Sequence, residues 1–114
     1  MKFRILLSYL LLSAATASQA EITAHRVNIE TLLTDANNYG GCMAQLTNFN
    51  NPAGCGRSWV TFDCSGLHNE KEAGRRALEL AQMAFALEKE VIVFVETTEK
   101  INGYCTVKRL DLKN

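Results

Sequence analysis

Four cysteines are the residues of this chain with the most distinctive chemistry: Cys42, Cys55, Cys64 and Cys105. A thiol can serve as a nucleophile, as a metal ligand or as half of a disulfide. No Cys-x-x-Cys spacing occurs, and His25 and His68 are far apart in the sequence, so a metal site is disfavoured. An even cysteine count in a small exported domain predicts two disulfides, and the sequence alone leaves three pairings open.

Catalytic residue types also occur, but without the arrangement that catalysis needs. Asp63, Ser65 and His68 are the residue types of a hydrolytic triad, yet a triad is defined by geometry and not by sequence adjacency. Ser58 and Ser65 lie in no nucleophile-elbow sequence, and turn or capping roles explain this group better. Carboxylate pairs suited to glycoside hydrolysis occur in any chain of this size. We therefore expect no catalytic residue, no metal and no cofactor.

Polar and aromatic side chains gather in two short segments that are rich in turn-forming residues. The candidate ligand-binding residues are Asp35, Asn38, Tyr39, Asn102 and Tyr104. Amides and tyrosines can hydrogen-bond to hydroxyl groups and stack on sugar rings. Turn chemistry alone also favours Asn, Asp and Gly, so a purely structural role is the alternative.

The first 20 residues have the features of a secretory signal peptide. Lys2 and Arg4 precede a short apolar stretch, and Ser18-Gln19-Ala20 provides small residues at the cleavage positions. Cleavage after Ala20 leaves one domain, residues 21–114, in a secreted or periplasmic location. Removing Lys2 and Arg4 from the 12 basic residues leaves 10 against 12 acidic ones, which argues against nucleic acid. No later apolar run is long enough to insert into a membrane.

The mature sequence reads as strands with one helix. Val60, Phe62 and Cys64 alternate with more polar neighbours, as in a half-buried strand, and Asn69 is the expected N-cap of the helix. Asn102-Gly103 is a hairpin turn signal. The predicted strands are 21–33, 42–48, 58–64, 91–95 and 104–112, with the helix at 70–88.

Three strands, one helix and two strands is the element order of the OB-fold, a small, partly open five-stranded barrel. We therefore predict a mainly β (α+β) domain of this type. Its third and fifth strands are neighbours, which predicts a Cys64–Cys105 disulfide. Cys42 and Cys55 flank the connection between the second and third strands and are expected to close it. The candidate ligand residues lie in the first and last loops, which border the usual ligand face of this fold.

At the family level, the region from Cys42 to Leu110 resembles the B subunits of bacterial AB-type toxins, nearest the subtilase-cytotoxin and pertussis-like group. The resemblance rests on the cysteine-stapled strands, the segments 58–62 and 89–95, and the helix through 77–80. Those subunits are OB-folds that form pentameric rings and bind cell-surface glycans. The resemblance implies a glycan or a protein A subunit as partner, but no family sugar-binding position carries over to a residue of this chain.

The sequence therefore predicts an exported, non-catalytic binding module. The wide apolar surface of the helix, together with Trp59, favours a homo-oligomer. One alternative is an envelope or secreted protein that binds or inhibits a protein partner. Another is a small secreted hydrolase.

Overall fold

The computed structural model describes residues 21–50 and 52–114, so the predicted signal peptide lies outside the described residues. Five strands, one α-helix and one short 3-10 helix make up this part. In chain order they are β1 (Ile22–Thr34), β2 (Cys42–Thr47), the 3-10 turn (Pro52–Gly54), β3 (Trp59–Thr61), α1 (Lys71–Ala86), β4 (Val91–Ile101) and β5 (Tyr104–Leu112). The predicted mainly β class with one helix is confirmed.

The five strands close into a ring. The order of neighbours around it is β1, β2, β3, β5 and β4, and β4 pairs back onto β1. All pairs are antiparallel except β3 and β5, which run parallel. Because β5 lies between β3 and β4, the sheet order differs from the chain order, and the connection from β3 to β4 is made by α1.

The interior of the ring is filled mainly by β-branched and aromatic side chains. Valines on β1, β3, β4 and β5 are almost completely buried, and Phe62 is fully buried just after β3. Such residues suit a pleated, half-buried surface. On β4, the buried residues Val91, Val93 and Val95 alternate with the part-buried Ile92 and Phe94, as a strand with one inward face requires.

α1 lies against the ring through small side chains. Gly74, Ala81 and Ala84 are its buried residues. A Cβ added at Gly74 would lie 2.6 Å from the Phe62 carbonyl oxygen, so a side chain there would force the first turn away from the end of β3. The helix therefore approaches the ring closely at these small residues.

Two local predictions about this region are wrong. The N-cap of α1 is Glu70 and not Asn69, and it makes no side-chain capping bond. Asn69 instead donates to the Val107 carbonyl and accepts from Lys108, which ties the start of the helix to β5. β3 ends at Thr61 and not at Cys64, because Asp63 takes a positive φ of 58° that an extended strand does not allow.

The predicted disulfide pairing is also wrong. Cys42 is joined to Cys64, and Cys55 is joined to Cys105. Since β3 stops early, Cys64 lies in the following turn beside Gly41, next to Cys42 at the start of β2. Cys105 on β5 then faces the loop between β2 and β3, where Cys55 lies. The expectation of two disulfides is confirmed, and among the described residues no cysteine is free.

Candidate functional site

The two segments proposed from sequence to bind a ligand are brought together by the fold. The Tyr39 and Tyr104 rings meet edge to face with centroids 5.5 Å apart and planes at 82°. The Asn102 side-chain amide donates a hydrogen bond to the Asn38 carbonyl. We call this surface the loop face and define it as residues 35–41, Gly56 and residues 102–104.

Asp35 shapes the first segment of the loop face from within. Its Oδ1 accepts a hydrogen bond from the Tyr39 amide at 3.2 Å, and its own amide donates to the Gly41 carbonyl. Its Oδ2 is buried and has no hydrogen-bond partner among the described residues. The Tyr39 carbonyl accepts from the Thr61 hydroxyl at 2.7 Å, which fixes the loop to β3. Asp35 therefore acts on the conformation of Tyr39 more directly than on an external ligand.

Tyr104 lies against the loop that contains Gly56. A Cβ at Gly56 would lie 2.4 Å from Tyr104 Cδ1, and Gly56 has a positive φ of 81°. Only glycine satisfies both conditions without displacing the ring. The adjacent Cys55–Cys105 disulfide holds the same two segments together. Sequence reasoning did not single out Gly56, and its position directly after Cys55 was the one available signal.

Exposure divides the five candidates into two groups. Asn38 and Asn102 are exposed, whereas Asp35, Tyr39 and Tyr104 are half-buried. The loop face thus combines two exposed asparagines, joined by the Asn102–Asn38 hydrogen bond, with two part-buried aromatic rings in contact. This arrangement can hydrogen-bond to a hydroxyl-bearing molecule and offer it an apolar ring surface.

Asp63, next to the loop face, organises the turn between β3 and α1. The carboxylate is fully buried and accepts hydrogen bonds from the Leu67, His68 and Asn69 amides, at 2.9, 2.6 and 2.6 Å. Burial by itself raises the pKa of Asp63, but these amides and the Ser65 hydroxyl outweigh it and leave the pKa below its ordinary value. The Asp63 carboxylate therefore holds the turn that precedes α1 in place through its backbone amides.

The sequence neighbours Asp63, Ser65 and His68 are not arranged for nucleophilic catalysis. The Ser65 hydroxyl donates to Asp63 Oδ1 at 3.1 Å, so serine and aspartate are in direct contact. The His68 ring is 3.2 Å from the Lys100 carbonyl through Nε2, and only the His68 backbone reaches Asp63. No cluster of three or more potential metal-ligating side chains occurs in the described part of the chain.

Two surface pockets lie away from the loop face. One of about 590 Å³ is formed where α1 ends, between Asn28 and Ile29 of β1 and the segment from Ala84 to Lys89. The other, of about 300 Å³, lies beside the start of β4 and the chain end. Neither is lined by any of the five predicted ligand residues.

Apolar side chains are exposed near the larger pocket. Met83, Phe85 and Leu87 have exposed fractions of 54%, 46% and 58%. We call these three residues, with Asn28 and Ile29, the helix end. Trp59, the other residue of the predicted subunit contact, is half-buried on β3.

No helix in the described ranges is long and apolar enough to cross a membrane. Searches of protein-family models, curated proteins and solved structures found no match to this chain. The loop face and the helix end are therefore the two surfaces from which we infer a function.

Proposed function

We propose that the protein is an exported, non-catalytic binding module that holds a hydroxyl-rich ligand, of the cell-surface glycan class, on its loop face. The observation that carries the proposal is the contact between Tyr39 and Tyr104, residues 65 positions apart in sequence. Asn38 and Asn102 are exposed, lie within two residues of these tyrosines in sequence and are joined by a hydrogen bond from the Asn102 amide to the Asn38 carbonyl. Aromatic anchors surrounded by orienting polar groups are a common composition of small binding sites.

An OB-type barrel is the architecture that we propose for the scaffold. The closed ring, the parallel β3–β5 pair and a helix inserted between β3 and β4 support it. In such a barrel the first and last loops border the ligand face, which is where the loop face lies. Two disulfides are compatible with the oxidising environment of a secreted or periplasmic protein.

The test is a glycan array probed with the purified exported protein and with Tyr39→Ala and Tyr39→Phe variants. Loss of the ring is expected to weaken binding by about 1–3 kcal/mol, in the range of anchor truncations. Tyr39→Phe keeps the ring and separates its contribution from that of the hydroxyl group. Phe94→Ala is the matched control, because Phe94 is a half-buried aromatic that contacts Arg109 outside the loop face.

Tyr104→Ala is read together with its melting temperature, since Tyr104 also lies against Gly56 beside a disulfide. A large fall in melting temperature would assign Tyr104 a structural role. If a folded Tyr39→Ala variant bound the ligand as tightly as the wild type does, the site would lie elsewhere. Trp59 and Arg57 would then be the next residues to vary.

The helix end supports a second function, a contact with another protein surface. Met83 and Leu87, four residues apart, share one side of the helix and are about half-exposed, and neighbouring exposed apolar groups mark sites of association. Phe85 is exposed on another side, where it lines the larger pocket. We propose a second copy of the chain as the occupant, with a protein A subunit or an inhibited protein as the alternative.

Solution mass distinguishes these occupants. Light scattering on the exported protein is expected to give a multimer, and Met83→Glu or Phe85→Glu is expected to give a monomer with an unchanged melting temperature. A wild-type monomer at micromolar concentration would exclude self-association and leave the other protein partners.

A further inference from the structure

Glu96 on β4 is a carboxylate that the proposed binding functions do not use. Its exposed fraction is 2%, although it is charged. Its Oε1 accepts hydrogen bonds from the Thr98 amide at 3.1 Å, from the Thr98 hydroxyl at 2.6 Å and from the Glu21 amide at 3.0 Å. These three donors are uncharged while the chain is uncleaved. A buried carboxylate gains most from a cationic donor at such a position.

At Glu21 the backbone carbonyl still follows the β1–β4 ladder, but the backbone amide departs from it. Ile22 pairs with Glu96, and the Thr97 amide and hydroxyl both donate to the Glu21 carbonyl, at 3.0 and 3.2 Å. A continuing ladder would direct the Glu21 amide to the Thr97 carbonyl. It donates to the Glu96 side chain instead. Glu21 is thus held on both its nitrogen and its oxygen by residues 96–97.

The sequence places the predicted signal-peptide cleavage at the bond that precedes this nitrogen. A peptidase that hydrolyses the Ala20–Glu21 bond adds one water molecule across it. Ala20 leaves with a new carboxylate, and the Glu21 nitrogen takes up a proton to become an α-ammonium group.

We propose that Glu96 is the acceptor for this new α-ammonium group, so that cleavage after Ala20 creates a part-buried ion pair that strengthens the β1–β4 closure of the ring. The inference rests on the predicted signal peptide and is independent of what the loop face binds. It also assigns a function to the position of the cut, because a terminus one residue longer would place an uncharged amide against Glu96.

The electrostatics around Glu96 agree with this role. Burial by itself raises the pKa of Glu96, but hydrogen bonds from Thr98 and Glu21 and the charge of Lys108 outweigh it and leave the pKa lowered. Lys108, on β5, acts on Glu96 through Coulombic attraction while its ammonium group contacts Glu99 on β4. Glu96 is therefore ionised at neutral pH and able to hold a cation.

The test is a double-mutant cycle on protein exported from the full-length chain. One change inserts a single alanine between Ala20 and Glu21, which lengthens the mature terminus by one residue, and the other is Glu96→Gln. Mass spectrometry is expected to find Glu21 as the wild-type N-terminus. The insertion is expected to lower the melting temperature by about 5 °C or more with Glu96 present and by much less in the Glu96→Gln background.

A second measurement needs no variant, in case Glu96→Gln does not fold. The labelling rate of the α-amino group by an amine reagent, followed against pH by mass spectrometry, reports its pKa. We expect that pKa to lie above the ordinary value for an α-amino group, because the carboxylate favours the charged form. A different wild-type N-terminus, an equal effect of the insertion in both backgrounds, or an ordinary pKa would each overturn the proposal.

Discussion

The loop face and the helix end differ in how they are held. The loop face is bordered by both disulfides, by the Asp63 hydrogen-bond network and by the Tyr39–Tyr104 contact. At the helix end, α1 ends at Ala86, Glu88 follows with a positive φ of 53°, and three apolar side chains are exposed. The helix has 16 residues, so the two ends of α1 are about 24 Å apart.

The difference is the basis for proposing two kinds of recognition in one small domain. A surface fixed by covalent and buried polar contacts loses little conformational entropy when a ligand binds, so a few polar groups there can provide specificity. A surface of exposed methionine, phenylalanine and leucine gains binding free energy from the apolar area that a partner buries. Such contacts depend less on the exact orientation of the partner than hydrogen bonds do. We therefore propose the loop face for the small ligand and the helix end for the macromolecular contact.

The largest expected effect comes from removing a disulfide at the loop face. Loop-closure entropy predicts a loss of about 4 kcal/mol for the Cys55–Cys105 bond, with a separation of 50, and about 3.5 kcal/mol for Cys42–Cys64, with a separation of 22. The measurement is denaturant unfolding of the two double-serine variants. If either variant lost less unfolding free energy than Met83→Ala at the helix end, the loop face would not be the more strongly held of the two surfaces.

Asp63→Asn is expected to destabilise the protein by about 2–3 kcal/mol, because an amide cannot accept all the hydrogen bonds that the carboxylate accepts. Ser65→Ala is the matched control, since it removes only one of these contacts. Thermal unfolding of both variants tests the point. Equal losses of stability in the two variants would contradict this prediction, because they would show that the hydrogen bonds from the backbone amides need no charge at residue 63.

Acid is expected to destabilise the protein through Asp63 and Glu96. Both pKa values are lowered in the folded state, so the unfolded chain binds protons first as the pH falls. Their contribution is complete above about pH 5, where both states are ionised, and declines as the pH falls toward the folded-state values. Unfolding free energy measured from pH 7 to pH 2 should fall below about pH 5, and less steeply in Asp63→Asn.

His25 extends the same trend to milder acid. Burial lowers its pKa, so protonation favours the unfolded chain once the pH falls below about 6.5. His25→Gln is expected to remove the part of the pH dependence that begins as the pH falls below about 6.5, and Asp63→Asn is expected to leave that part unchanged.

The smallest effect is expected from the ion pair near the smaller pocket. Arg26 and Glu90 are 3.2 Å apart, with side chains 69% and 47% exposed. Glu90→Gln should change the unfolding free energy by less than about 0.5 kcal/mol, as is usual for exposed pairs. A larger loss would show that exposed contacts away from the loop face also hold the fold.

The fold class and most element positions could be predicted from the sequence. The alternation of Val60 and Phe62 around β3, the apolar run of β4 and the Asn102-Gly103 turn before β5 follow from local rules, because each depends on neighbours within a few residues. β4 is six residues longer than predicted and ends at Ile101. The additional residues are polar from Glu96 to Lys100. Their pairing with β5 has an irregular register in this segment, which no periodicity in the sequence indicates.

The disulfide pairing and the partners of the buried carboxylates depend on the tertiary structure and could not be predicted from the sequence. Cys64 pairs with Cys42 because Asp63 turns the chain after Thr61, and Asp63 can adopt that conformation because amides from residues 67–69 fold back onto it. Glu96 meets Glu21 because the ring closes between β1 and β4, which are 75 residues apart at this contact. These contacts depend on how distant segments approach each other, and a pattern read along the chain carries no information about that approach.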